Sequence, residues 1–198
     1  IGDITGSFIG NYVHGSSSQG GAIYNEGLAD RSDNVAAMKV VDSEFVGNIV
    51  TNFGGAVYNG SKLVLEDSEF SKNDAYIGGA MFLAKGSDTT IKNSEFDSNT
   101  ADFGGAIYTS TGIKNVNVSD SKFTNNSAKG TGAFGLFNKG TLTNVLFENN
   151  KSTDATSSAG ALFLGALAQA QLNNVDLPTF GSPTIPHLSA ILSYFFSC

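Results

Sequence analysis

Apolar residues fall along this chain in short alternating runs, cut off by Gly, Asn, Asp and Ser. Ala56-Val57-Tyr58, Leu63-Val64-Leu65 and Val116-Asn117-Val118 are typical. Runs of this length and period are strand-sized. Nowhere does a 3.6-residue apolar period persist over a helical length, which disfavours helical repeats such as TPR or ankyrin. The leucine spacing of a leucine-rich repeat is also absent.

The runs recur in two alternating blocks. One block is Gly20-Gly21-Ala22-Ile23-Tyr24, followed by Gly54-Gly55-Ala56-Val57-Tyr58, Gly78-Gly79-Ala80-Met81-Phe82, Gly104-Gly105-Ala106-Ile107-Tyr108, Ala133-Phe134-Gly135-Leu136-Phe137 and Ala159-Gly160-Ala161-Leu162-Phe163. The other is Phe-x-x-Asn: Phe8/Asn11, Phe45/Asn48, Phe70/Asn73, Phe96/Asn99, Phe123/Asn126 and Phe147/Asn150. Successive Phe residues lie 37, 25, 26, 27 and 24 apart, and the aromatic residues closing the glycine block 34, 24, 26, 29 and 26 apart. A fixed period of this size marks a solenoid. Strand-sized pieces on that period predict an all-β, right-handed, single-stranded parallel β-helix of about six turns, with roughly three short strands per turn and about 4.8 Å between turns.

Stacking the repeats puts Ile23, Val57, Met81, Ile107, Leu136 and Leu162 in one column, expected to be buried. It puts Tyr24, Tyr58, Phe82, Tyr108, Phe137 and Phe163 in the next, on the opposite face or in a corner. The glycines predict a bend with positive φ or a close backbone approach. The structural ladder is expected in Asn48, Asn73, Asn99 and Asn126, with side-chain amides bonding turn to turn, and in Phe45, Phe70, Phe96 and Phe123.

Composition narrows the partners. The net charge of −7 and the single arginine, Arg31, argue against nucleic acid. The lone Cys198 allows no intrachain disulfide. No signal peptide opens the chain and no apolar run reaches about 18 residues, so no transmembrane segment is expected and the chain reads as a segment of a larger protein.

Six alternating copies of Gly-Gly-Ala-[Ile/Leu/Val] and Phe-x-x-Asn, over roughly residues 1 to 165, resemble the repeat of the polymorphic outer membrane proteins. These are best known in chlamydiae and occur in large surface proteins of other bacteria. The resemblance implies an autotransporter passenger: a right-handed β-helix exported through a C-terminal β-barrel and displayed at the bacterial cell surface or released, often as an adhesin. The implied partners are a host-cell receptor, matrix or a glycan. This chain lacks the barrel, the secretion signal and the cysteines that many chlamydial members carry.

Two segments break the repeat. About ten extra residues within 25–36 bring Glu26, Asp30, Arg31 and Asp33 together. Solenoid insertions map to loops on one face, so this loop is a candidate binding patch beside the plainer reading of a tolerated surface loop. The repeat domain is placed at 1–176. From 177 to 198 the chain carries all three prolines and no charge, and reads equally as a cap over the last turn or as a non-native, frameshifted terminus.

The same fold hosts pectate lyases and other pectin-lyase-like polysaccharide enzymes, so a carbohydrate-active domain is the alternative. The carboxylates speak against it. Asp42, Asp67 and Asp120 precede their Phe by three residues, and Glu44, Glu69 and Glu95 by one. Acids at equivalent repeat positions are the repeat, whereas an active site breaks it. His14 and His187 lie far apart, and no His/Cys/Asp set has metal-ligand spacing. No catalytic residue, metal or cofactor is expected.

Overall fold

The computed structural model describes residues 3–26, 36–154, 159–165 and 168–177. Among them every regular element is a strand, and every pairing is parallel, between a segment and its copy one turn on. Ile23–Asn25, Val57–Asn59, Met81–Leu83, Ile107–Thr109, Phe134–Leu136 and Leu162–Leu164 form one six-stranded sheet. Tyr12–Val13, Ile49–Phe53, Asp74–Ile77, Thr100–Phe103, Ser127–Ala128 and Lys151–Ser152 form a second. The third sheet has ten strands and is bent. One limb runs from Ile4–Ile9 through Met38–Val46, Lys62–Glu66, Asp88–Lys92, Asn115–Ser119 and Lys139–Glu148 to Gln169–Asp176. The other adds Glu69–Ser71, Glu95–Asp97 and Lys122–Thr124. Each coil thus has four short segments rather than three. The six strands of each smaller sheet are joined by five steps, so the expected six turns resolve as six rungs and about five complete turns.

The corners are set by residues that tolerate the left-handed backbone region. At the bend within the large sheet, Asp42, Asp67, Asn93, Asp120, Asn144 and Asn174 have φ between 47° and 53°. Asx residues adopt this region most readily after glycine. At the next corner Gly47, Lys72, Ser98, Asn125 and Asn149 have φ between 55° and 60°. At the third, Gly54, Gly78 and Gly104 have φ between 65° and 69°. The second glycine of that pair is needed for a different reason. A Cβ on Gly55, Gly79 or Gly105 would overlap the carbonyl oxygen of the corresponding glycine one turn on. Both roles expected of the glycine block are therefore present, one in each glycine.

Behind the second corner lies the asparagine ladder. The side-chain amide of Asn48 donates to Asn73 Oδ1 at 2.9 Å, Asn73 to Asn99 at 2.9 Å, Asn99 to Asn126 at 3.0 Å and Asn126 to Asn150 at 2.9 Å. Each Oδ1 also accepts the backbone N–H of the preceding asparagine. The second amide hydrogen goes back to a phenylalanine carbonyl, as from Asn99 to Phe70 at 3.0 Å. All hydrogen-bonding capacity of these buried side chains is used, as burial requires. Beside them Phe8, Phe45, Phe70, Phe96, Phe123 and Phe147 stack at 4.4–4.9 Å with ring planes within 15°.

A serine ladder at the first corner is a feature that periodicity did not single out. The N–H groups of Ser43, Ser68 and Ser94 donate to the hydroxyls of Ser68, Ser94 and Ser121 at 3.1–3.3 Å. Each hydroxyl in turn donates to the carbonyl two residues back. The serine simply follows the left-handed Asx residue, and in a serine-rich chain its column carries no apolar signal.

The fifth glycine block is corrected by the structure. Ile107 pairs with Phe134, not Leu136, and Tyr108 pairs with Gly135, not Phe137. The buried column is therefore Ile23, Val57, Met81, Ile107, Phe134 and Leu162, with Leu162 only partly buried. Leu136 is buried too, but one inward position further on, opposite Thr109 and Leu164. The physical reason is the chain's need for a small residue where the outer ring would sit. Phe137 lays its ring 4.8 Å from Tyr108 and 5.3 Å from Phe163, and a Cβ on Gly135 would press on both Phe137 and Tyr108. The outer aromatic stack is thus kept continuous from a position two residues later.

At the C-terminal end, Gln169–Asp176 pairs with Lys139–Glu148 and Leu177 packs on the core. The rest of the expected tail, 178–198, lies outside the described residues.

Candidate functional site

On the sheet containing Asp74–Ile77 the outward columns mix aromatic and aliphatic residues with acids and threonine. In register, the first outward column reads Tyr12, Ile49, Asp74, Thr100, Ser127 and Lys151. Tyr12 is 65% exposed, Ile49 41% and Tyr76 47%. Alternation turns Val50 and Ala75 inward, so their neighbours must face out. The result is an open groove of about 370 Å³ across several rungs, lined by Tyr12, Ile49, Asp74, Tyr76, Thr100 and Asp102.

Its charges are held in place. Asp74 accepts a hydrogen bond from the Thr100 hydroxyl. Asp102 pairs with Lys129 at 2.8 Å. That hydrogen bond, with the attraction of the same carboxylate, holds the Lys129 ammonium above its ordinary pKa. At the N-terminal edge Tyr12 stacks on His14, ring centroids 6.2 Å apart, and His14 Nδ1 lies 3.1 Å from the Thr51 hydroxyl. At the other edge Tyr76 meets Phe103 edge-on at 5.9 Å. The groove offers two tyrosines, an aliphatic floor and carboxylate acceptors.

The acids expected on an outer face are there, in register. Glu44 pairs with Glu69, Glu69 with Glu95, and Glu95 with Lys122. Lys39 bridges Asp3 and Glu66 at 3.8 and 3.3 Å. Among the described residues no group of three or more His, Cys, Asp or Glu side chains is placed to hold a metal ion.

Asp97 is a carboxylate with a clear shift. Partial burial would raise its pKa, but hydrogen bonds from Thr124, Asn125 and Ser98 at 2.7–2.8 Å and the nearby Lys72 charge outweigh that and hold it below the usual value. A depressed folded-state pKa contributes stability above the unfolded value, which is lost as pH falls through the folded one. Asp97→Asn should therefore lower the melting temperature at pH 7 and close the gap to the native chain below pH 4, the ordinary carboxylate range. Thermal melts across that range check it; a gap that does not narrow would remove Asp97 from the acid response.

Of the four residues named in the candidate binding loop, Glu26 alone is described. It is exposed at the end of Ile23–Asn25. Burial first, then a hydrogen bond with the Glu26 carboxylate, raises the Tyr24 hydroxyl pKa. Asp30, Arg31 and Asp33 lie outside the described residues. The described start of that segment follows Ile23–Asn25, whereas the groove residues lie on the sheet of Asp74–Ile77. The groove is not legible in the repeat, because its residues are departures from it. The signal was Tyr12, Ile49 and Tyr76, apolar residues three or one positions after a ladder asparagine, in columns that are otherwise polar.

These features define a parallel β-solenoid with a hydrogen-bonded interior and an outer surface that departs from the repeat on one face. A family model described as a right-handed β-helix region matches residues 4–153, and the chain belongs to that family. No curated protein and no solved structure matches it.

Proposed function

We propose that this chain is a segment of a surface-displayed or secreted bacterial β-helix, related to the polymorphic outer membrane passengers, whose work is stiff display and adhesion without catalysis. The observation that carries this reading is the division of labour between interior and surface. The repeat residues Phe, Asn and Gly are consumed in stacking, in the ladder and at corners. The exposed acids are repeat members or ion-paired, as Glu69 and Asp102 are. A fold whose turns pair only with their neighbours propagates from one turn to the next. That suits export through an outer-membrane pore in an unfolded state and refolding outside, tethered by a barrel. The partner would be a host-cell receptor, matrix or a glycan.

Beads coated with the chain should adhere to cultured epithelial cells or to extracellular matrix. The same preparation should release no reducing or unsaturated ends from polygalacturonate or alginate, with or without Ca²⁺. Absent adhesion would remove the display reading. Turnover abolished by Asp42→Ala or Asp67→Ala would replace it with the carbohydrate-active enzyme.

A further inference from the structure

We propose that the groove of Tyr12, Ile49, Asp74, Tyr76, Thr100 and Asp102 binds a neutral oligosaccharide, laid along the axis of the coil. The inference deepens the adhesion reading and rests on it for its biological setting, but not for its chemistry.

Three observations carry it. The first is the exposed pair of tyrosines. Tyr12 and Tyr76 lie two rungs apart, about 10 Å along the axis at the parallel-sheet spacing. Tyrosine supplies a flat apolar ring with few rotors to immobilise, and the C–H face of a pyranose can lie on it. Successive rungs rise by about 4.8 Å, close to the length of one sugar unit, so an extended chain meets equivalent positions as it passes along the groove.

The second is the polar set beside and beyond the second ring. Asp74 and Asp102 are acceptors already oriented by Thr100 and Lys129. A carboxylate accepting a sugar hydroxyl makes a charge-assisted bond, stronger than a neutral one. Asp74 sits on the rung between those of Ile49 and Thr100, and Asp102 on the rung after Tyr76. Asp74 shares the rung of Tyr76, so both acceptors lie at one end of the groove, beside the second ring and the Thr100 hydroxyl.

The third is charge. The chain carries −7 and the groove itself two carboxylates. A polyuronate or sulfated chain would be repelled at close range. Lys129 is already committed to Asp102. An uncharged glycan suits the site, and an acidic one does not. A protein partner fits less well, because the ladder bonds are made within the coil and the exposed apolar residues are interrupted by acids.

The chain has no tryptophan, so its intrinsic fluorescence reports tyrosine directly. Titrating the intact chain with cellohexaose, chitohexaose and an oligogalacturonate should give saturable quenching with at least one of the two neutral hexasaccharides and none with the acidic one. Tyr76→Ala should weaken that binding at least tenfold, and Tyr12→Ala several-fold, with far-UV circular dichroism melts unchanged. Tyr24→Ala, on a different sheet, should leave it alone. Failure of both neutral sugars to bind, equal binding to both tyrosine variants and the native chain, or equal binding of the oligogalacturonate would each overturn the proposal. Cell adhesion without any hexasaccharide binding would overturn it in favour of a protein receptor and leave the adhesion reading standing. Hexasaccharide binding without cell adhesion would support the groove and sink that reading instead.

Discussion

Asn99→Ala should destabilise the protein by about 2–6 kcal/mol, because two buried donors lose their acceptor together at about 1–3 kcal/mol each. In the native chain Asn99 Oδ1 accepts both the backbone N–H and the side-chain amide of Asn73, at 3.0 and 2.9 Å. Alanine leaves both of those hydrogens facing an apolar void. The bonds from Asn99 to Phe70 and Asn126 are lost as well. The same substitution at Asn11, the exposed first rung, removes one side-chain donor and leaves no buried donor of a preceding rung behind. It should cost well under half as much. Ser94→Ala is an intermediate case, removing one acceptor from the Ser68 N–H. Urea melts of the three variants should rank Asn99 above Ser94 and Ser94 near or above Asn11. Equal losses at Asn99 and Asn11 would mean that water satisfies the interior rung, and the ladder would then be a consequence of the fold rather than a support for it.

That ranking turns on burial, which also decides how much of the fold could be read in the sequence. Phe and Asn of the Phe-x-x-Asn block were legible because each column keeps one side chain through every rung, and only a buried, stacked position imposes that sameness. The glycine block was legible for a related reason: a carbonyl one turn away excludes Cβ at Gly79 and Gly105. The fifth block was misread by two residues because Phe137 mimics the expected aromatic ending. The spacing held the signal. Tyr108 to Phe137 is 29 residues, whereas Tyr108 to Gly135 is 27, matching the step from Phe96 to Phe123. The second left-handed corner stayed hidden because Gly47, Lys72, Ser98 and Asn125 share a backbone angle but no side-chain chemistry. The groove stayed hidden because a surface site is defined by departures, and a single sequence does not distinguish a departure from drift until register places Tyr12, Ile49 and Tyr76 on one face.

Phe70→Ala or Phe96→Ala should cost about 3–5 kcal/mol, the range for truncating a buried aromatic side chain. Both rings are completely buried, stacked on each other at 4.8 Å, and each has a second ring on its other side. Truncation opens a void between rungs that backbone hydrogen bonds hold at a fixed spacing, so the coil cannot collapse to fill it. Two stacking contacts disappear with each ring, each worth about 0.5–1.5 kcal/mol beyond its area. Glu69 is the internal control. It is the adjacent residue on the same strand, and alternation points it to solvent, opposite Glu44 and Glu95. Removing an exposed charge flanked by like charges should change stability by less than about 0.5 kcal/mol. Because Glu69 and Phe70 share a strand, their backbone environments are matched and the difference isolates the face. Denaturant melts that gave comparable losses for Glu69→Ala and Phe70→Ala would mean that the inside and outside of this rung are exchanged in solution. A loss near 1 kcal/mol for Phe96→Ala would instead show a stack able to close over the gap, which neighbouring rungs pinned by the Asn99 ladder should not permit.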